Sequence, residues 1–241
     1  LRKEFIIKQF DRISQKNNFT NFMVSLANQM HTAIPGSQVS TVLYAVDWNN
    51  VFDIPVLSQH VDLFVVMGYG YYYSGSSKAG PNDPLYPFES AAYPYSLSRT
   101  IGYYLQKGMP KNKLVMGLPY YGREWTTTSG TVPATTTGSI GAKTYSQIRN
   151  NSSGNYNNEQ WHMESKTPYF AFLQGTDWHQ CFALNANSMA ARLDNIIDTD
   201  PYCIINTSGS TGTPKGVVLN HKSFIDFVEV NINNLAAVPS I

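Results

Sequence analysis

Charge is what this sequence has least of. Asp, Glu, Lys and Arg make up only 14% of its 241 residues, well under the usual quarter of a soluble domain. They nearly cancel, leaving a formal net charge of +1, so there is no electrostatic case for a nucleic-acid partner. Cysteine is scarce too. Cys181 and Cys203 are the only two, and their spacing excludes a cysteine metal site and a disulfide framework while leaving one bridge open. No apolar run approaches the ~20 residues of a membrane-spanning helix. The first residues, LRKEFIIKQF, lack the continuous apolar stretch and small-residue cleavage site of a signal peptide.

Aromatic residues are what the chain has in quantity. They make up 13%, with 16 tyrosines. A tyrosine-rich, charge-poor surface suits sugars, because the ring stacks on a pyranose face while the hydroxyl hydrogen-bonds. A tyrosine-rich sheet core explains the same composition equally well. Hydrophobic residues, at 42%, supply material for a core. Asn-x-Ser/Thr sequons at Asn18, Asn150, Asn151 and Asn206 are expected by chance in so Asn-rich a chain.

Residues 17 to 33 place Phe19, Phe22, Met23, Leu26 and Met30 at helical spacing, which predicts an amphipathic helix ended by Pro35-Gly36. VSTVLYAV, from Val39 to Val46, is apolar on both faces, as a buried parallel strand should be. A short helical crossover follows at 54 to 58, then a second buried strand, VDLFVVM, from Val61 to Met67. After an aromatic loop, 97 to 107 reads as a helix and LVMGL, from Leu114 to Leu118, as a third buried strand. Strand and crossover alternate, and each strand ends in a polar, aromatic loop. That predicts a βα barrel with its site at the C-terminal strand ends; a doubly wound open sheet is the alternative from pattern alone. Residues 126 to 160, rich in Thr, Ser, Gly and Asn, show no sustained period. Residues 161 to 182 alternate as strand, turn and strand, and a helix is predicted from Ser188 to Ile197.

The run VDLFVVMGYGYYYSGSSKAGPNDPLYP, followed by SLSRTIGYYLQKGMPKNKLVMGLPYYGREW, resembles the sixth and seventh strand units of a family 18 glycoside hydrolase, the chitinase-like barrel. NNFTNFMVSLANQMH resembles the helix after the fourth strand, VLYAVDWNNVFDIPVLSQ the fifth strand and its loop, and WHMESKTPYFAFLQGTDWHQCF the α+β insertion. The resemblance covers residues 17 to 193. It implies an α/β fold, a partial (β/α)8 TIM-type barrel with a small α+β insertion. It divides the chain into an unmatched segment 1–16, barrel units 17–125, the insertion 126–185, a junction 186–200 and a separate tail 201–241.

The resemblance further implies substrate-assisted hydrolysis of β-1,4-linked N-acetylglucosamine glycans, with no cofactor: the substrate's acetamido oxygen attacks, and one glutamic acid protonates the leaving oxygen. In such enzymes that acid ends a D-x-x-D-x-D-x-E run on the fourth strand. The residues where it should lie read LRKEFIIKQFDRISQK, with no acidic ladder; Glu4 and Asp11 read as solvated charges. The Met-x-Tyr-Asp pattern of the sixth strand is here Met67, Gly68, Tyr69, Gly70, so the orienting aspartate is gone. Tyr69 matches the catalytic-site tyrosine that contacts the acetamido group, and Met67 a wall of the same pocket. Tyr120, Tyr121, Arg123 and Trp125 match PYYGREW; Arg123 would donate to sugar hydroxyls, or pair with Glu124 or a loop carboxylate, and Trp125 would stack. Asp47 and Trp48 end the fifth strand, and Trp48 is a rim contact. The expectation is an incomplete, inactive chitinase-like protein whose partner is an N-acetylglucosamine-containing glycan, with no metal.

PYCIINTSGSTGTPKGVVLNHKSFIDFVE, from Pro201 to Glu229, resembles the phosphate-binding core of adenylate-forming enzymes. The loop Thr207, Ser208, Gly209, Ser210, Thr211, Gly212, Thr213, Pro214, Lys215 and Gly216 offers backbone amides, hydroxyls and a lysine to phosphates. Mg-ATP would be its ligand only in a complete domain. The short CII strand has no evident partner in the sequence. The expected eighth barrel strand reads as lost. One resemblance implies a secreted protein and the other a cytoplasmic one, so no compartment is assigned.

Overall fold

The computed structural model describes residues 2–89, 92–196, 202–207 and 215–219, with side chains described at 15–89, 92–192 and 194. It opens with one long helix, α1 (Arg2–Ala33), rather than a helix beginning near 17. Glu4 and Asp11 therefore lie on helical backbone, although their side chains are outside the described residues. Met23 and Ala27 are buried, one turn apart, and Phe19 meets Phe52 edge-on at 5.7 Å. Phe22 and Leu26, expected on the same apolar face, are exposed. Gly36 supplies the left-handed turn, at φ +85°, that releases the chain from the helix.

Three βα-type units follow. β1 (Ser40–Leu43), α2 (Ile54–His60), β2 (Leu63–Met67), α3 (Leu97–Gln106) and β3 (Leu114–Leu118) lie within two or three residues of the sequence reading, except that β1 stops short of Val46. Local chemistry fixes the helix starts: Asp53 caps α2, with Pro55 in its first turn, and the Ser96 hydroxyl accepts from Arg99 N in α3. The strands pair in parallel, Val42 opposite Val65 and Val65 opposite Val115. Leu43, Phe64, Val66 and Met116 are buried in a cluster with Met23, Leu57 and Leu97 of the helices.

Burial of the strands on both faces was expected and is realised only in β3. In β1 and β2 burial alternates. Val42 and Tyr44 are each 52% exposed, because the sheet face away from the helices is open. Among the described residues nothing pairs with the outer edge of β1.

The insertion is a five-stranded antiparallel sheet: β4 (Tyr121–Thr127), β5 (Thr136–Thr144), β6 (Gln160–His162), β7 (Thr167–Gln174) and β8 (Asp177–Phe182), ordered β5-β4-β8-β7-β6. Between β5 and β6 lies α4 (Tyr145–Asn150), started by a capping box of Thr144 and Gln147. β5 gave no period in the sequence because none of its residues is buried, so no apolar alternation was needed. The sheet's two faces differ. Trp125, Phe182 and Tyr169 turn toward the parallel sheet's core, whereas Phe170, Cys181, Ala183 and Ile148 form a separate cluster on the outer side. Cys181 is a free, buried thiol, its pKa pushed up by burial.

Helix α5 (Ala186–Ile196) then ties the units together. Arg192, fully buried, donates to the Asp83 carboxylate at 2.8 Å, to the carbonyls of Asp83, Ser188 and Lys166, and to the Thr167 hydroxyl.

The tail corrects one expectation directly. β9 (Tyr202–Thr207) runs parallel to β3, Val115 opposite Tyr202 and Leu118 opposite Ile205, and β10 (Lys215–Leu219) returns antiparallel beside it. The CII strand thus has partners on both sides, and it occupies the next parallel position, which the sequence left empty. An apolar strand satisfies its backbone by joining a free parallel edge.

Candidate functional site

Residues singled out from sequence converge at the carboxyl ends of β1, β2 and β3, where loop backbone lifts side chains above the sheet. Tyr69 and Tyr121 meet edge-to-face at 6.5 Å. The Arg123 guanidinium lies 5.7 Å from the Tyr121 ring centre, a cation–π distance. Arg123 is half-buried, and its Nε has no hydrogen-bond partner, leaving an unspent donor in the cluster. Burial, and then Tyr121, raise the Tyr69 pKa, keeping the phenol a neutral donor. Met67 is half-buried, Tyr120 is exposed, and Trp48 is 65% exposed, edge-on to Tyr95 at 4.6 Å.

Trp125 is a correction. It is fully buried against Phe182, its indole N–H on the Tyr73 carbonyl at 3.3 Å. Strand alternation from Arg123 should have kept it at the mouth; the tertiary packing of the insertion onto the aromatic loop buried it instead. Arg123 does not pair with Glu124. Successive strand residues face opposite ways, and Glu124 accepts instead from Tyr156 (2.6 Å) and His179 (2.8 Å), with Lys143 at 3.5 Å.

The loop after β2 sets the position of Tyr69. Gly70 sits at φ +80°, and a Cβ there would meet nothing within 4 Å. Its N–H donates to Asn82 Oδ1 at 2.9 Å, and Tyr71 N to the Asn82 carbonyl at 3.1 Å. Asn82 was not singled out from sequence, and its role rests on a contact twelve residues away that no local pattern encodes.

The described carboxylates of this region are all engaged. Asp47 accepts from Val51 N and the Tyr103 hydroxyl, and Asp53 caps α2. Asp83 holds Arg192, and Glu89 accepts from Lys78 and Tyr72. Of the phosphate-loop residues, Thr207 ends β9 and Lys215 begins β10, directly opposite each other; Ser208, Gly209, Ser210, Thr211, Gly212 and Thr213 lie outside the described residues. Among the described residues no group of three or more His, Cys, Asp or Glu could hold a metal ion, and no helix is long and apolar enough to cross a membrane.

Parallel strands with helical crossovers, an aromatic and guanidinium cluster at their carboxyl ends and an α+β insertion after the third strand define a barrel-type α/β protein. The pattern of Glycosyl hydrolases family 18 matches residues 6–193, and the chain belongs to that family. A probable endochitinase of Caenorhabditis elegans is 29% identical over 140 residues, covering 53% of this chain and 22% of that protein. The solved structure of the Ostrinia furnacalis Group IV chitinase superposes with a TM-score of 0.69 at 25% identity, covering 80% of this chain and 56% of that one. Human YKL-39, described as a pseudo-chitinase with retained chitooligosaccharide binding, superposes at 0.70 and 21% identity, covering 80% and 57%; at that identity the likeness concerns the fold alone. The chain spans little more than half the length of these solved structures and far less of the curated relative.

Proposed function

We propose that this chain is a non-hydrolysing, chitinase-like protein that binds β-1,4-linked N-acetylglucosamine chains at the carboxyl ends of its parallel strands. The observation that carries the reading is the pairing of an intact aromatic and guanidinium cluster, Tyr69, Tyr121 and Arg123, with the engagement of every described carboxylate around it. Tyr69 would donate to the acetamido group, Arg123 to ring hydroxyls, and Trp48 and Tyr120 would flank the chain at the rim over Met67. Binding needs only these donors and ring faces. Hydrolysis also needs a general acid, worth ~10²–10⁴ in rate, and an anionic group to orient the acetamide, which Gly70 does not provide. No cofactor enters this reading.

Two measurements test it. Incubation with a fluorogenic chitobioside should give no turnover above a blank; turnover abolished by a substitution within these residues would overturn the reading. Titration with chitotriose, followed by tryptophan fluorescence, should show weak saturable binding lost in Arg123→Ala. For the tail, the sequence Thr207 to Gly216 supports descent from an adenylate-forming phosphate loop within the segment 201–241. Mg-ATP is expected not to bind with useful affinity, because the segment 201–241 holds only about thirty residues of an adenylate-forming domain, far fewer than an ordinary domain. A calorimetric signal weakened by Lys215→Ala would reverse that view.

A further inference from the structure

The outer face of the insertion sheet, turned away from the Tyr69 cluster, carries a cavity of about 250 Å³. Its floor is apolar, made by buried Phe170 of β7 and Ile148 of α4. Tyr145 and Tyr156 form walls. Tyr156 is held firmly: its hydroxyl donates to buried Glu124 at 2.6 Å, and its backbone N–H donates to Asn151 at 2.9 Å. At the rim stand one anion and one cation. Glu159 is exposed, with one oxygen accepting from Asn185 Nδ2 at 2.7 Å. Asn185 is in turn fixed by reciprocal bonds with Ser188, so the carboxylate is set in place before any ligand arrives. Arg149 lies across the Tyr145 ring at 5.9 Å.

These features narrow the ligand. The volume falls below the ~300–1,000 Å³ of sites that enclose drug-sized molecules, which favours a single ring. Opposite rim charges disfavour an ion of either sign. Tyr156 meets Phe170 edge-to-face at 5.4 Å and 76°, so the two rings do not form the pair of parallel walls that would sandwich a planar heterocycle. A puckered ring is the better match, with an apolar C–H face for the floor and hydroxyls for a carboxylate and a guanidinium. We infer that this cavity is a second carbohydrate site, taking one neutral pyranose unit, with Glu159 accepting from its hydroxyls and Arg149 donating to them.

The site is separable from the strand-end cluster because Arg123 and Glu124, neighbours on β4, face opposite sides. The test is an amide NMR titration of the whole chain with methyl β-D-glucopyranoside and, separately, adenosine. Saturable shifts are expected at Ile148, Ala183 and Asn185, with a dissociation constant on the order of 1 mM. Glu159→Ala, an exposed substitution that leaves the fold in place, should weaken them about tenfold. Arg123→Ala should leave them unchanged. Shifts that do not saturate, shifts indifferent to Glu159→Ala, or tighter binding of adenosine would each overturn the inference. Because the strand-end cluster has its own reporters at Tyr69 and Tyr121, silence there bears on the proposed function and not on this cavity.

Discussion

The two sheets of this molecule solve the same problem with unequal success. In the antiparallel insertion each face carries its own buried cluster, and the buried carboxylate of Glu124 is met by a hydroxyl, an imidazole and a lysine. In the parallel sheet one face packs against helices while the other leaves Val42 and Tyr44 half exposed, with no described strand along the edge of β1. The reason lies in connectivity. Antiparallel strands can close through short turns, as β7 and β8 do, whereas each parallel strand needs a crossover before it meets its neighbour. The insertion has a neighbour for each inner strand, and one of its faces packs on the parallel sheet's core; the parallel sheet leaves the edge of β1 without a described neighbour.

The largest effect expected from breaking this contrast is at Arg192, which binds the two regions together. Removing it strands the buried Asp83 carboxylate, and the loss of one partner from such a pair costs about 3–5 kcal/mol. Urea unfolding of Arg192→Met should show a loss of that size. A loss under about 1 kcal/mol would mean that the regions are not joined through this pair.

The open face should produce the next effect. Exposed apolar strands with a free edge invite association, so the chain is expected to self-associate in size-exclusion chromatography. A charge at the exposed β1 position, Val42→Lys, should shift it toward monomer. If the unmodified chain runs as a sharp monomer, the exposed face is covered in solution and the contrast fails.

Gly70→Asp sharpens the comparison at the proposed site. The position has room for the side chain, but its φ of +80° is unfavourable to any residue with a Cβ, at a cost of roughly 1–2 kcal/mol. The variant should lose a few degrees of melting temperature and still not cleave a chitobioside, because it restores a charge and not a proton donor. Cleavage by this variant would show that an acid is present after all.

The smallest effect concerns Asp62, which joins α1 to β1. Burial alone would raise its pKa, but the Val39 N–H, His31 and Lys113 outweigh that and hold it below the usual carboxylate value. A carboxyl with a lowered folded pKa contributes stability above its unfolded pKa of about 3.9 and loses it as pH falls through the folded value. The stability difference between the native chain and Asp62→Asn should therefore be present at neutral pH and vanish in acid; a difference independent of pH would assign the effect to packing.

How much of this was legible in the sequence follows the same division. Val39 to Val46, Val61 to Met67 and Leu114 to Leu118 announce strands because apolar and β-branched residues carry a local signal, and Asp53 and Ser96 mark helix starts by capping chemistry that acts within three residues. Tyr69, Arg123 and Gly70 were legible through short motifs. β5 was not, since an exposed strand needs no apolar alternation. Nor was Asn82, whose side-chain amide oxygen holds Gly70 and whose backbone carbonyl holds Tyr71 from across a loop.

The sequence by itself determined the order of the three parallel strands and the helices between them, the family, and the absence of an acidic ladder, because periodicity, caps and motifs are local properties of the chain. Tertiary structure alone decided that Trp125 is core, that Glu124 meets Tyr156 and His179, and that Tyr202–Thr207 pairs with β3. Each of those outcomes depends on which surfaces meet across tens of residues, and that is settled by burial and by backbone hydrogen bonds seeking partners, not by any pattern within the segment itself.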